Sequence, residues 1–379
     1  MKSIEKKENE NYEKKRDSSI ELLRIIGCIS VISTHIMNIQ IDENTNIENF
    51  PRIFNGCLCA DGVAIFWYIM GFFFFNKISY KKRLNLLFKK IYIPIIITSF
   101  FYFYFYDFNF NNPKILSHFL KKTKKDYLFL FYNFLILEGG HLWFCYVYIL
   151  IVILYPSFEG LNNLFEKYKI NSYKIYFIFL AIFIENDFLN NKLLCVEHHN
   201  FNGVIGAIPF IFCGNELRKN IDKFKNKKFF SIFIFFYIGF NFLRTYLIIF
   251  TGKIYFIWWS TGFGIINGFC LFMIVYSFYD YLHYKFIYLI ITKISSMTYY
   301  IYLIHIFVIN NIFKFYKIDK KFYKKFYKNS KSMKGLIYYQ TNSILFIFFI
   351  SLIFSFGIDI FIKYLLYFKK LIEKKIKNN

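Results

Sequence analysis

Long apolar runs recur from one end of this sequence to the other, among them Ile91–Tyr106, Leu142–Tyr155, Phe229–Phe240 and Leu345–Gly357. With their flanks they approach the ~20 helical residues needed to cross ~30 Å of hydrocarbon. Backbone polar groups can be satisfied there only within helices or closed barrels. The runs show no period-2 alternation, so they read as helices. Composition agrees: 56% of the 379 residues are hydrophobic, against roughly 45–50% in globular chains. The expected fold class is all-α, a polytopic integral membrane helix bundle of about ten spans.

The spans fall at 20–39, 57–76, 91–108, 141–158, 174–187, 202–217, 229–250, 257–278, 297–314 and 343–366. No repeat or linker divides them. The chain therefore reads as a basic N-terminal segment (1–19), one transmembrane domain (20–366) and a basic tail (367–379). Segments 1–19, 77–90, 217–228 and 367–379 are rich in Lys and Arg, whereas loops 40–56, 185–200 and 251–256 hold one such residue each. By the positive-inside rule both termini are expected in the cytoplasm, with the chain in the cell membrane. Two loops on the opposite side, 109–140 and 315–342, are Lys-rich against this pattern. Solvated charge accounts for them, and contact with glycan or lipid phosphates is the sharper alternative.

The net charge of +24 would suggest a nucleic-acid partner in a soluble protein. Here the lysines lie between spans, so they read as topology signals and head-group contacts, and no nucleic acid is expected. The seven cysteines form no C-x-x-C and no zinc-spaced cluster with His, so no metal is expected. Residues 1–19 are polar with no cleavable pattern after the first apolar run, so that run reads as a retained helix.

Arg24 and His35 are eleven residues apart in the first span. At about 100° per residue, eleven steps return to within roughly 20° of the starting direction with a rise of about 16 Å. Both side chains thus leave the same face, Arg24 near the cytoplasmic end and His35 deeper. Intramembrane ionisable residues face a bundle interior or cavity by default. One reading is a snorkelling arginine with a helix-end histidine; the other is a cationic foot for an anionic donor with an imidazole for proton transfer.

Other polar residues carry similar pairs of readings. His305 lies within an apolar run as either a packed or a catalytic imidazole, and Tyr302, three residues earlier, shares its side of a helix. Glu138 and His141 precede Trp143 at a span entrance, where they could bind acceptor hydroxyls or simply be solvated. Trp143, Trp258 and Trp259 read as belt residues first and sugar platforms second. Arg244 and the pair His198-His199 have no assigned role, and two adjacent histidines make a poor metal site.

Several of these segments, in order, resemble the membrane-bound acyltransferase-3 family. Arg24 and His35 match its Arg-x10-His signature. The stretch from Gly62 to Phe72 is similar to the family's second-helix pattern Gly-Val-Asp-x-Phe-Phe-x-x-Ser-Gly-Phe, and Leu142-Trp143-Phe144 to its Leu-Trp-Phe. Tyr302-Leu303-Ile304-His305 resembles its late Tyr-Leu-x-His, and Lys81-Lys82-Arg83 through Lys89-Lys90 its Arg-rich loop. Ala64 departs from the pattern where an acidic residue is common, Met70 where Ser is common, and Lys replaces Arg at several loop positions.

The resemblance implies acyl transfer from a cytoplasmic thioester, acyl-CoA and commonly acetyl-CoA, to a hydroxyl of a cell-envelope carbohydrate, glycolipid or exopolysaccharide. It implies His35 as general base and Arg24 as a donor or orienting cation. Arg83 and Lys90 would attract the CoA phosphates, and Trp143, Tyr302, His305 and Glu138 would serve substrate binding. No bound cofactor is implied, acyl-CoA being a co-substrate. The rival from another class is a transporter or flippase with an Arg/His path, which needs acidic relay partners at depth; the candidates are Glu21 and Asp61 at span ends.

Overall fold

The computed structural model describes residues 16–41, 47–98, 142–170, 200–252, 261–314 and 333–378, with residues 174 and 180. Every regular element among them is helical. Helix α1 runs unbroken over Ser18–Ile41. Its start is fixed by Asp17, whose carboxylate accepts from the Ser19 and Ile20 N–H groups at 2.9 and 3.4 Å and so satisfies donors that the first turn leaves orphaned. The Tyr276 hydroxyl donates to the same carboxylate at 2.9 Å. Within the helix, Ser33 and Thr34 turn their hydroxyls back to the Ile29 and Ser30 carbonyls, which removes two polar groups from the apolar surroundings.

The second span is broken: α2 (Phe50–Cys59) and α3 (Gly62–Phe74) meet at Ala60-Asp61. Next come α4 (Tyr80–Leu87), a π-helical turn at Phe88–Tyr92, α5 (Trp143–Ile153) and α6 (Tyr155–Lys167). The chain continues through α7 (Asn200–Asn220), α8 (Lys228–Thr251), α9 (Gly262–Tyr276), α10 (Lys285–Ser295), α11 (Thr298–Phe307) and α12 (Met333–Asn378).

Among the described residues four segments are long and apolar enough to cross a membrane, those at Ser18–Ile36, Phe50–Phe74, Lys228–Thr251 and Ile337–Tyr364. Two bent pairs, α5 with α6 at 63° and α10 with the segment Thr298–Asn310 at 47°, raise this to as many as six. The expected spans at 202–217 and 257–278 appear as α7 and the shorter α9. The spans 91–108 and 174–187 lie largely outside the described residues, as do loops 109–140 and 185–200. Helix α10 was read as part of a connection between spans. Its apolar run, 286–291, is too short to span alone, and the helix passes the length and hydropathy test only together with the segment that follows it.

Lipid-facing character is clearest on α8 and α12. Phe235 and Phe250 of α8 are 73% and 75% exposed, and Ile353 and Ile360 of α12 are 65% and 66% exposed. An apolar surface of this extent suits hydrocarbon and not water. The interior is aromatic, with Trp67, Tyr68, Phe210, Phe272 and Tyr276 fully buried in one cluster. Small residues let backbones approach there. A Cβ on Gly71 of α3 would lie 2.3 Å from the Ile211 carbonyl oxygen of α7, and one on Gly214 of α7 would lie 2.3 Å from the Tyr68 carbonyl oxygen of α3. A Cβ on Gly62 would lie 2.6 Å from the Gly27 carbonyl oxygen of α1. The first span is thereby held directly on the backbone of the second.

At the break between α2 and α3 sits a buried ion pair. Arg244 of α8 donates from Nη1 to both oxygens of Asp61 at 3.0 and 3.2 Å, and both side chains are fully buried. Asn241 and Thr245 share the inward face of α8, and Asn267 of α9 donates to the Asn241 side chain at 3.1 Å. Removing one partner of such a pair leaves an uncompensated charge and costs about 3–5 kcal/mol. Asp61→Ala should therefore lower the thermal unfolding midpoint of the purified protein in detergent by several degrees, and Asp61→Leu combined with Arg244→Met should recover most of the loss.

Candidate active site

Glu21 organises the N-terminal end of α1. Its carboxylate, 3% exposed as a residue, takes Arg24 Nη1 at 3.0 Å, Arg16 Nη2 at 2.6 Å and the Ser295 hydroxyl of α10. Two guanidinium groups against one carboxylate leave a net positive charge, which offsets the cost of burying the acid. The i,i+3 spacing of Glu21 and Arg24 was visible in the sequence. The long-range partner Ser295 was not.

Above this cluster a cavity of about 540 Å³ is lined by Arg24, Arg83, Lys90, Tyr148, Tyr299 and Tyr302, with apolar walls that include Phe66, Ile69, Phe144 and Val152. Three of the four cationic and catalytic positions proposed from the sequence thus share one space. Among the described residues no carboxylate lines it. Lys90 reaches the cavity from the π-helical turn, a distortion common at functional sites. The turn is pinned by the Tyr299 hydroxyl, which donates to the Ile91 carbonyl at 2.9 Å.

Arg83 has a second task. Its Nη2 and Nε donate to the Asn76 and Ile78 carbonyls at 2.5 and 3.2 Å, and its guanidinium lies 3.9 Å from the Tyr155 ring centroid. It therefore braces the connection between α3 and α4 while facing the cavity.

His35 and His305 are not among the cavity's lining residues. Their rings lie 5.1 Å apart, centroid to centroid, and tilted by 42°. His305 is fully buried, and its Nδ1 lies 2.6 Å from the Tyr302 carbonyl oxygen. A carbonyl can only accept, so Nδ1 carries hydrogen and, in the neutral ring, Nε2 holds the lone pair. Tyr302 is thus a double contact: its side chain lines the cavity and its carbonyl orients His305. Because Arg24 shares the cavity with Thr298 and Tyr302 of α11 while His35 meets His305 of the same helix, the two α1 residues do leave one face.

Trp143 packs edge-on against Phe144 at 6.2 Å, and it is Phe144 that lines the cavity. Glu138 and His141 lie outside the described residues, as do His198, His199, Trp258 and Trp259. Among the described residues no group of three His, Cys, Asp or Glu side chains is arranged to hold a metal. The sequence reading left Arg244 unassigned and placed Asp61 at a span end. Two opposite charges on apolar helices are the signal that could have paired them.

A helical bundle with membrane-length spans holds a cavity lined by Arg24, Arg83 and Lys90, and a histidine pair joined to that cavity through Tyr302. The acyltransferase-3 family, described as an acyltransferase domain, matches residues 17–362, and this chain belongs to that family. It is accordingly a membrane acyltransferase that transfers groups other than aminoacyl groups. No curated protein and no solved structure matches the chain.

A lysine in place of Arg83 keeps the charge but cannot bridge two carbonyls and stack on Tyr155. Hydrogen bonds from a charged donor contribute about 1.5–3 kcal/mol. Arg83→Lys should speed limited proteolysis between α3 and α4 and lower thermal stability by an amount of that order.

Proposed function

We propose that this chain is an O-acyltransferase of the cell membrane. It would move an acyl group, acetyl in the first instance, from acyl-CoA to a hydroxyl of a cell-envelope carbohydrate, glycolipid or exopolysaccharide. The observation that carries the reading is the continuity from Arg24, Arg83 and Lys90 through the cavity to Tyr302, His305 and His35. A donor with several phosphates and a neutral thioester matches a cavity whose lining combines cations with aromatic and apolar side chains.

In this reading Arg83 and Lys90 attract the CoA phosphates and Arg24 holds oxygens nearer the pantetheine. The acceptor hydroxyl attacks the thioester carbonyl as His35 takes its proton, the carbon–sulfur bond breaks, and the protonated imidazole returns the proton to the leaving thiolate. A neutral imidazole suits this exchange. His305 lies against His35 and keeps it company with a fixed tautomer. Trp143 and Glu138 are assigned to the acceptor side, with Tyr302 between donor and base. The domain is taken as 20–366 in ten spans, with the basic segments 1–19 and 367–379 on the cytoplasmic side where acyl-CoA is available.

The transporter reading asks for relay carboxylates at depth. The two strongest candidates, Glu21 and Asp61, are each held by arginine. Release of free CoA by the purified protein separates the readings, because transport yields no thiol.

General acid–base groups contribute about 10²–10⁴-fold. His35→Ala should therefore reduce acyl transfer by at least about 10²-fold, measured as free thiol released and as mass lost from envelope glycans, with normal membrane insertion. His305→Ala should also impair it, and the double variant should be little worse than His35→Ala alone, since groups acting as a unit are non-additive.

A further inference from the structure

Several of the hydrogen-bond donors around the cavity are already engaged. Arg24 directs Nη1 to the Glu21 carboxylate at 3.0 and 3.2 Å, and Arg83 directs Nε and Nη2 to the Ile78 and Asn76 carbonyls. The Tyr299 hydroxyl is committed to the Ile91 carbonyl. Tyr148 lines the same space, and among the described residues its hydroxyl makes no hydrogen bond. Arg24 Nε and Nη2 and Arg83 Nη1 are likewise unused among the described residues.

Helical spacing brings Tyr148 there. Phe144, Cys145, Tyr148 and Val152 follow one another at intervals of one, three and four residues, so they share one side of α5, and all four line the cavity. The Tyr148 ring lies 6.5 Å from that of Phe144, which lies 4.3 Å from the buried Trp67 ring. Packing thus sets the phenol, and its hydroxyl is left for a ligand. Tyr148 also interacts electrostatically with both Arg24 and Arg83, and among the described residues no carboxylate of the cavity lining answers these donors. Unused donors from α1, α4 and α5 around one space suit an anion that accepts several hydrogen bonds at once, as a phosphate does.

We propose that Tyr148 is a donor-binding residue whose hydroxyl, together with Arg24 and Arg83, hydrogen-bonds the pyrophosphate of CoA. The inference rests on the acyl-CoA reading of the cavity. In CoA the pyrophosphate stands between the ribose phosphate and the pantetheine arm. Arg83 is assigned to the phosphates and Arg24 to oxygens nearer the pantetheine, and Tyr148 is the neutral donor that interacts with both. It supplies a directed hydrogen bond without adding charge. Tyr148 touches the donor and takes no part in the transfer itself.

The test compares wild type with Tyr148→Phe, full-length in lipid nanodiscs, for binding of CoA and dephospho-CoA and for displacement of CoA by inorganic pyrophosphate. No acceptor is needed. The substitution removes one oxygen that has no internal partner among the described residues, so the thermal midpoint of the ligand-free protein should not change. Affinity for all three probes should fall by about tenfold or more, the size expected for a hydrogen bond to a charged group. A loss seen with CoA and absent with dephospho-CoA would move the contact to the ribose phosphate and overturn the assignment. Unchanged displacement by pyrophosphate, or unchanged affinity throughout, would overturn it as well. If wild type binds no CoA at all, the donor reading itself fails and the role of Tyr148 falls with it.

Discussion

A charge inside a bilayer needs a counter-charge, and in this chain that requirement places several helices. Asp61 lies at the break in the second span because Arg244 of α8 meets it there, with Asn241, Thr245 and Asn267 around the pair. Glu21 lies at the foot of α1 because Arg16, Arg24 and Ser295 converge on it. Each cluster joins elements distant in sequence, so each sets the position of one helix against another. Buried pairs of this kind contribute less to net stability than to selecting one arrangement among several apolar ones, a role proposed here for both clusters.

Those constraints serve the site. The Glu21 cluster holds the foot of α1 against α10, and the Gly62 contact holds its middle against α3. Arg24 and His35 are then carried by one unbroken helix that is fixed independently at its foot and near its middle. The imidazole pair depends on that rigidity, since a shift of α1 along its axis would separate His35 from His305. Two of the cavity's cations are placed differently, from α4 and the π-helical turn, where Arg83 and the exposed Lys90 line it.

Much of this was legible in the residues. The apolar runs announced membrane helices, the eleven-residue spacing put Arg24 and His35 on one face, and the ordered motifs pointed to the family that the chain proves to belong to. Arg83, Lys90 and Tyr302, singled out individually, share one cavity. What the sequence could not supply was pairing across long separations. Arg244 and Asp61 are 183 residues apart and Glu21 and Ser295 274 apart, and periodicity carries no information at that range. Trp143 stood out in the sequence as a belt residue and sugar platform, whereas its neighbour Phe144 is the one that lines the cavity. Helix α10 escapes a span search because its apolar run is short and reaches membrane length only together with the bent segment after it.

The crossing of α3 and α7 has a mechanical side. At Gly71 and Gly214 the two backbones touch with no side chain between them, so neither helix can roll or slide without collision. They act as a single beam. Because Ile69, Met70 and Phe74 of α3 form one side of the cavity, that side is stiff, and any breathing that admits a bulky donor must come from the opposite bank. That bank is α4, tethered through Arg83 to the preceding connection and through the Tyr80 hydroxyl to the Ile153 carbonyl. The cavity is thus a vice with one fixed jaw and one sprung jaw, and Arg83 rides on the sprung one.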